Sequence, residues 1–148
     1  MDETDRKILN ILQRDFPVEA EPFRRIGEKV SLSEVEVLRR IGKLKDEGII
    51  RRIGAVFDTK KLGYVSTLCA AEVPAEAINN FVDVVNSYTG VTHNYRRNHR
   101  YNIWFTLIAS RDDEIGKILG EIEDKTGISG ILDMRATKKF KIDATFDM

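Results

Sequence analysis

Between Gly90 and Ala109 the chain reads GVTHNYRRNHRYNIWFTLIA. Two stretches there, Val91 to Arg97 and Tyr101 to Ala109, alternate as strands do. The short turn around Asn98-His99 joins them into a hairpin. On either side the period changes from two to that of a helix. Ile78, Phe81, Val82 and Val85 make one apolar face after Pro74-Ala75-Glu76, and Ile115, Ile118, Leu119 and Ile122 make another between Asp112 and Thr126. A strand from Gly63 to Val73 precedes the first helix, and a last strand falls somewhere in Ile131 to Phe146. The order β-α-β-β-α-β is the ferredoxin-like pattern, an α+β fold. Its two helices cover one face of the sheet. The other face then needs cover, and a symmetric or near-symmetric partner is the usual solution, so a dimer is expected.

The first third has a different pattern. Asp2 or Thr4 can cap a helix over Glu3 to Arg14, which carries Ile8, Leu9, Ile11 and Leu12 on one stripe and ends at Phe16-Pro17. A second helix runs from about Glu21 to Lys29, with Pro22 in its first turn. Ser33 and Glu36 fit a capping box for a third, with Val37, Leu38, Ile41 and Leu44 inward and Gly48 at its end. IIRRIGAVF reads as a strand. Three short helices with a tight turn before the third make a helix-turn-helix or winged-helix-like unit. The expected organisation is a helix-turn-helix domain over 1–52, a linker strand over 53–62 and the βαββαβ domain over 63–148.

Such a unit suggests DNA binding through the third helix. The charge does not favour it. Residues 1–55 carry 12 Lys and Arg against 11 Asp and Glu, a net of +1, and Glu34 and Glu36 stand where base contacts would be made. Arg39, Arg40, Lys43 and Lys45 cluster, but such a helix face is commonly just solvated. The whole chain has zero net charge over 148 residues, so it is not an electrostatic nucleic-acid binder overall. Its one cysteine, Cys69, lies in the apolar run TLCAAEV and reads as a core residue. No disulfide and no cysteine-based metal site follow from it. No apolar run is long enough to span a bilayer and MDETDRK is not a signal peptide, so a cytoplasmic protein is expected.

The hairpin holds the unusual chemistry. Both histidines, His93 and His99, lie in it, with Arg96, Arg97, Arg100, Tyr95, Tyr101 and the only tryptophan, Trp104. No acidic residue occurs between Asp83 and Asp112. Imidazole, guanidinium and aromatic groups together suit a flat aromatic polycarboxylate better than a simple ion. Period two puts Ile103, Phe105 and Leu107 on the helix-covered face and Asn102, Trp104 and Thr106 on the other. His93, Tyr95 and Arg97 share one face, Asn94 and Arg96 the opposite one. Which set meets a ligand depends on a register the sequence leaves open. Structural readings stand beside these: a hydrogen-bonded strand histidine, a solvated arginine hairpin, a tryptophan in the core or an interface.

A helix-turn-helix followed by a βαββαβ domain resembles the Lrp/AsnC family of transcriptional regulators over nearly the whole chain. The motif HNYRRNHRYNIWFT, His93 to Thr106, is instead similar to the signature of the siroheme decarboxylases, an Lrp-like family. GIIRRIGAVFDTKKLGY, Gly48 to Tyr64, and KKFKIDATFD, Lys138 to Asp147, resemble that family too. The resemblance implies loss of two acetate carboxyl groups from siroheme, giving didecarboxysiroheme, in the alternative haem pathway or on the way to the dioxo-haem of nitrite reductase. It implies Arg96, Arg97 and Arg100 on the substrate carboxylates, with Trp104 and Tyr95 on the ring and Asn102 in the binding set. His93 would be the general acid with Tyr95 as helper, and His99 the second candidate, as acid or iron ligand. No cofactor is expected beyond the iron that siroheme itself carries. Some members carry an Arg-His pair after the linker strand, where this chain has Phe57-Asp58-Thr59. That departure suggests an alpha-type subunit working with a homologous second chain. The alternatives are a ligand-responsive regulator of the Lrp/AsnC type and a non-catalytic haem-binding subunit.

Overall fold

The protein is described from a computed structural model covering residues 1–141 and 145–148. It divides into two compact units. One comprises residues 57–140 and the other residues 1–56 with the described part of 141–148.

The larger unit is built on a four-stranded antiparallel sheet of order β2-β3-β1-β4, where β1 is Val65–Ala71, β2 Val91–Arg96, β3 Ile103–Ala109 and β4 Leu132–Arg135. That is the ferredoxin-like arrangement expected from the sequence. The part of the last strand expected over 142–144 lies outside the described residues. Pro74 opens a single 3-10 turn, Ala75–Ala77, which runs into helix α4, Ile78–Asn86. Helix α5, Asp112–Thr126, ends where Gly127 takes the left-handed conformation at φ 69°. Phe81 and Val85 of α4 and Ile115, Leu119 and Ile122 of α5 join one core with Cys69, Ile103, Phe105 and Leu107 of the sheet. The Phe81 and Phe105 rings meet edge to face at 6.4 Å. Each such fully buried side chain contributes about 1.5–3 kcal/mol by leaving water. Cys69 is fully buried and its thiol is pushed up to about 12 by that burial, so it is a core residue and not a nucleophile.

The smaller unit packs helices α1, Glu3–Arg14, α2, Pro22–Val30, and α3, Glu34–Asp46, around Ile8, Leu9, Ile26, Val37, Ile41, Leu44 and Ile50. Asp2 caps α1 in a full capping box with Asp5: Asp5 N–H donates to Asp2 at 2.8 Å and Asp2 N–H donates to Asp5 at 2.9 Å. Three expectations need correction here. Ser33 accepts from Glu36 N–H at 3.2 Å, but the reciprocal half of the box is missing because Arg39 and Arg40 take the Glu36 carboxylate. Leu38, expected inward, stands beside the Val37–Ile41–Leu44 stripe and is exposed. The strand expected over Ile49 to Phe57 does not form. Ile53, Val56 and Phe57 are exposed, and residues 49–54 and Val56 border a depression with Thr145, Phe146 and Met148 without forming a strand among the described residues. A further difference concerns the chain's last residues, read from the sequence as part of the second domain. The side-chain amides of Asn10 and Gln13 bond the backbone of Met148 and Phe146, and Arg14 pairs with Asp147.

One polar network ties α1 to α3. The Arg40 guanidinium donates to Asp2 and to the buried Asp5 at 2.7 Å each, and to Glu36 at 2.9 Å. Asp2 is held down at about 2, chiefly by its bond from Arg40. Glu36 is held at about 2 chiefly by Arg39, with Arg40 adding to it. These carboxylates stay ionised in the fold at pH values where the unfolded chain has bound protons. Their stabilisation is therefore full above about pH 4.5 and is lost as pH falls toward 2. Arg40→Met should lower the thermal unfolding midpoint at pH 7, and its deficit against the wild-type chain should shrink steadily between pH 4.5 and 2. A deficit independent of pH over that range would show that the network acts through packing alone.

Candidate active site

The register between β2 and β3 decides which side chains meet. Gly90 O accepts from Ile108 N–H at 2.8 Å, and Val91 then faces Leu107. A Cβ on Gly90 would stand 2.3 Å from the Ile108 carbonyl oxygen, so only glycine lets the two strands come together there. The next pair is His93 with Thr106, two residues on along β2 but one along β3. This β-bulge leaves Thr92 as the extra residue. It carries Val91 to the core side and His93 to the opposite side. Beyond the bulge the pairs are Asn94 with Phe105, Tyr95 with Trp104 and Arg96 with Ile103.

Since Ile103, Phe105 and Leu107 are buried under the helices, His93, Tyr95, Trp104 and Thr106 stand on the other face. Across β3, Leu68 of β1 pairs with Thr106, and Ala70 pairs with Trp104. Within this unit no described helix covers that face, and Leu68 and Tyr95 are exposed. His93, Tyr95, Arg97, Trp104, Thr106 and Leu68 line a depression of about 590 Å³, within the range of small-molecule sites. The His93 and Tyr95 rings are stacked with centroids 6.1 Å apart, and His93 Nδ1 is 3.0 Å from Thr92 Oγ1. The Arg97 guanidinium lies over the Trp104 ring at 5.8 Å. Trp104 Nε1–H donates to Tyr101 O at 2.7 Å, which fixes the indole.

The remaining residues singled out in the sequence are placed less simply. Arg96 leaves β2 on the helix side, opposite Ile103. At the strand end it joins Arg97, Asn98, His99 and Trp104 around a second depression of about 640 Å³. Arg100 donates to Glu72 at 2.7 Å and lies 5.6 Å from the Tyr101 ring. The Glu72 carboxylate strengthens its hold on its proton. That pair is exposed and weak, so an incoming carboxylate can replace Glu72. His99 stacks on Tyr101 at 6.2 Å and its Nδ1 accepts from Tyr101 N–H at 3.1 Å. In the neutral ring the proton then sits on Nε2, and neither nitrogen offers a free lone pair to a metal while that bond lasts.

Asn102 was expected on the open face and in the binding set. It borders a depression of about 480 Å³ with Arg96, Arg97, Asn98 and His99, but its side chain does not lie free on the open face. Instead its amide pairs with the backbone of Val73 through two bonds, Nδ2–H to Val73 O at 2.8 Å and Val73 N–H to Oδ1 at 2.9 Å. The reason is geometric: Asn102 precedes β3 and lies beside the end of β1, whose ladder it extends by one side chain. Sequence reasoning also missed Thr92, Leu68 and Glu72, since none carries a signal until the strands are in register. Among the described residues no group of three or more His, Cys, Asp or Glu could hold a metal ion, and no helix is long and apolar enough to cross a membrane.

This fold and site are those of an AsnC-like ligand-binding domain joined to a helix-turn-helix. Residues 61–141 match the family of the AsnC-like ligand binding domain, and residues 5–51 match the siroheme decarboxylase NirDL-like HTH domain. The siroheme decarboxylase alpha subunit of Desulfovibrio desulfuricans is 50% identical over all 148 residues and 85% of its own length. That of Nitratidesulfovibrio vulgaris is 47% identical over the whole chain and 84% of its own. The crystal structure of siroheme decarboxylase NirDL in co-complex with an iron-uroporphyrin III analogue superposes with a TM-score of 0.69 at 34% identity. It covers 90% of this chain, which spans 44% of the NirDL chain. The chain belongs to the siroheme decarboxylase family.

The Asn102 clamp gives a direct test. Asn102→Ala strands the buried N–H and C=O of Val73, and stability should fall by about 2 kcal/mol in a denaturant titration. Unchanged stability with weakened ligand binding would show that the amide serves the ligand and not the Val73 backbone.

Proposed function

We propose that this chain is the alpha-type subunit of a siroheme decarboxylase. It holds siroheme against the open face of its sheet and removes two acetate carboxyl groups as carbon dioxide, giving didecarboxysiroheme. One observation carries this reading. A proton donor, two aromatic platforms and a guanidinium, His93, Tyr95, Trp104 and Arg97, line a single depression on a sheet face that no described helix of this unit covers. A flat macrocycle with acidic arms needs those groups in that disposition.

Arg97, with Arg96 and Arg100 at the hairpin end, binds carboxylates that are kept. Trp104 and Tyr95 pack on the ring. The acetate to be lost lies over His93, away from the guanidinium groups, so its charge is free to move toward carbon. As the carbon–carbon bond breaks, the electron pair enters the conjugated pyrrole and carbon dioxide leaves. His93 delivers a proton to the methylene carbon, leaving a methyl group, with Tyr95 beside it as helper. The macrocycle takes up the developing charge, so the reading asks for no organic cofactor beyond the substrate's own iron.

The depression lies on a sheet, so one chain buries one side of the macrocycle, whereas well-bound ligands lose 70–90% of their surface to protein, as a rough rule. A homologous second subunit closing the other side fits that need. It also fits the run Phe57-Asp58-Thr59, where Asp58 accepts from Lys60 and Lys61 N–H in a turn and no histidine stands. The regulator reading is less favoured by the third helix. Arg39, Arg40 and Lys43 there already hold Glu36, Asp2, Asp5 and Glu47.

The test is anaerobic incubation with siroheme, alone and with a homologous partner subunit, followed by mass spectrometry. Loss of two carbon dioxide units only with the partner is the expected result. Loss with this chain alone would remove the need for the second subunit. Binding without mass loss in either case would leave a tetrapyrrole carrier and overturn the enzymatic reading.

A further inference from the structure

The bulge in β2 exists for one residue, and that residue touches the proposed acid. Thr92 has no register partner on β3, and its Oγ1 is 3.0 Å from His93 Nδ1. Were the bulge absent, Thr92 would pair with Thr106 and His93 with Phe105, on the face that Val91 takes, against the helices. The bulge therefore sets which way the imidazole faces, and the residue it sets aside meets the inner nitrogen.

We propose that Thr92 is a positioning residue for His93. Its hydroxyl oxygen accepts the Nδ1–H of the imidazolium, which leaves Nε2–H directed at the substrate carbon. The proposal rests on the reading of His93 as the general acid.

The chemistry favours a hydroxyl in this place. Catalytic histidines are commonly oriented by a carboxylate or a backbone carbonyl. A carboxylate here would repel the acidic arms of the substrate and hold the ring proton against release. Threonine orients the ring without adding negative charge, and no acidic residue lies between Asp83 and Asp112 to do otherwise. The balance is simple. The proton passes from Nε2 to carbon, the carbon–carbon bond breaks and carbon dioxide leaves. The ring is left neutral with its proton on Nδ1, still donated to Thr92, and solvent returns a proton to Nε2.

The two histidines then rest in opposite neutral tautomers. His99 keeps its proton on Nε2, because Tyr101 N–H donates into its Nδ1. His93 keeps its proton on Nδ1. With only two histidines in the chain, nitrogen-15 imidazole spectra resolve both.

Three variants test the proposal in the decarboxylating assembly. Thr92→Val keeps the shape and removes the oxygen. It should move the neutral His93 proton to Nε2 and lower kcat about 10-fold with KM unchanged, a part of the 10²–10⁴ or so that a placed general acid contributes. Thr92→Ser should restore both the tautomer and the rate. A wild-type His93 with its proton on Nε2, or a Thr92→Val protein with unchanged kcat, would overturn the role of Thr92. His93→Ala separates the two levels: loss of turnover in that variant leaves the acid assignment standing when Thr92 fails, and full turnover removes the assignment itself.

Discussion

An antiparallel strand cannot bury one set of side chains without presenting the alternate set. That constraint organises the larger unit. Ile103, Phe105 and Leu107 are fixed in the core by α4 and α5, so Trp104 and Thr106 have no choice but the opposite face. The bulge at Thr92 then resets β2 by one residue and brings His93 and Tyr95 to the same face. The site is thus a by-product of packing on the other side of the sheet. Its precision comes from the ladder and not from loops, apart from the hairpin end that carries His99 and Arg100.

The third helix and the hairpin handle charge in opposite ways. On α3 nearly every basic group described has a carboxylate within reach, and Arg40 reaches three. In the hairpin Arg97 rests on an indole, and among the described residues only Arg100 has a carboxylate, an exposed one. Charge balanced internally stabilises a fold, whereas charge resting on an aromatic face remains available to a ligand. In the helix-turn-helix unit Arg40 is tied to Asp2 and Asp5, while Arg39, Arg24 and Arg25 hold glutamates beside them. In the sheet unit Arg111, Lys117, Lys125 and Arg135 are paired likewise, and it is the hairpin's Arg97 that lies on an aromatic face.

Much of this was legible in the sequence. The change of period at Pro74, at Val91 and at Asp112 gave the βαββαβ order, and the local alternation placed His93, Tyr95 and Arg97 on one face. What was not legible depends on residues far apart in the chain. Whether that face is the open one required the register with β3, which the bulge sets. Glu72 lies 28 residues from Arg100 and meets it only when β1 and β3 pair. Asn102 looks like a strand residue by spacing, yet the end of β1 claims its amide. The run from Ile49 to Phe57 has strand composition but forms no strand among the described residues. Composition sets what a segment can do; the neighbouring backbone decides whether it does so.

The central claim is that the open-face histidine, not the one at the hairpin tip, supplies the proton. The most direct measurement compares His93→Ala with His99→Ala in the same assembly, by single-turnover carbon dioxide release with siroheme binding measured alongside. The account predicts that His93→Ala still binds siroheme but releases carbon dioxide at least about 100-fold more slowly, while His99→Ala stays within a few-fold of the wild-type rate. The reverse pattern, with His99→Ala inactive and His93→Ala active, would contradict it.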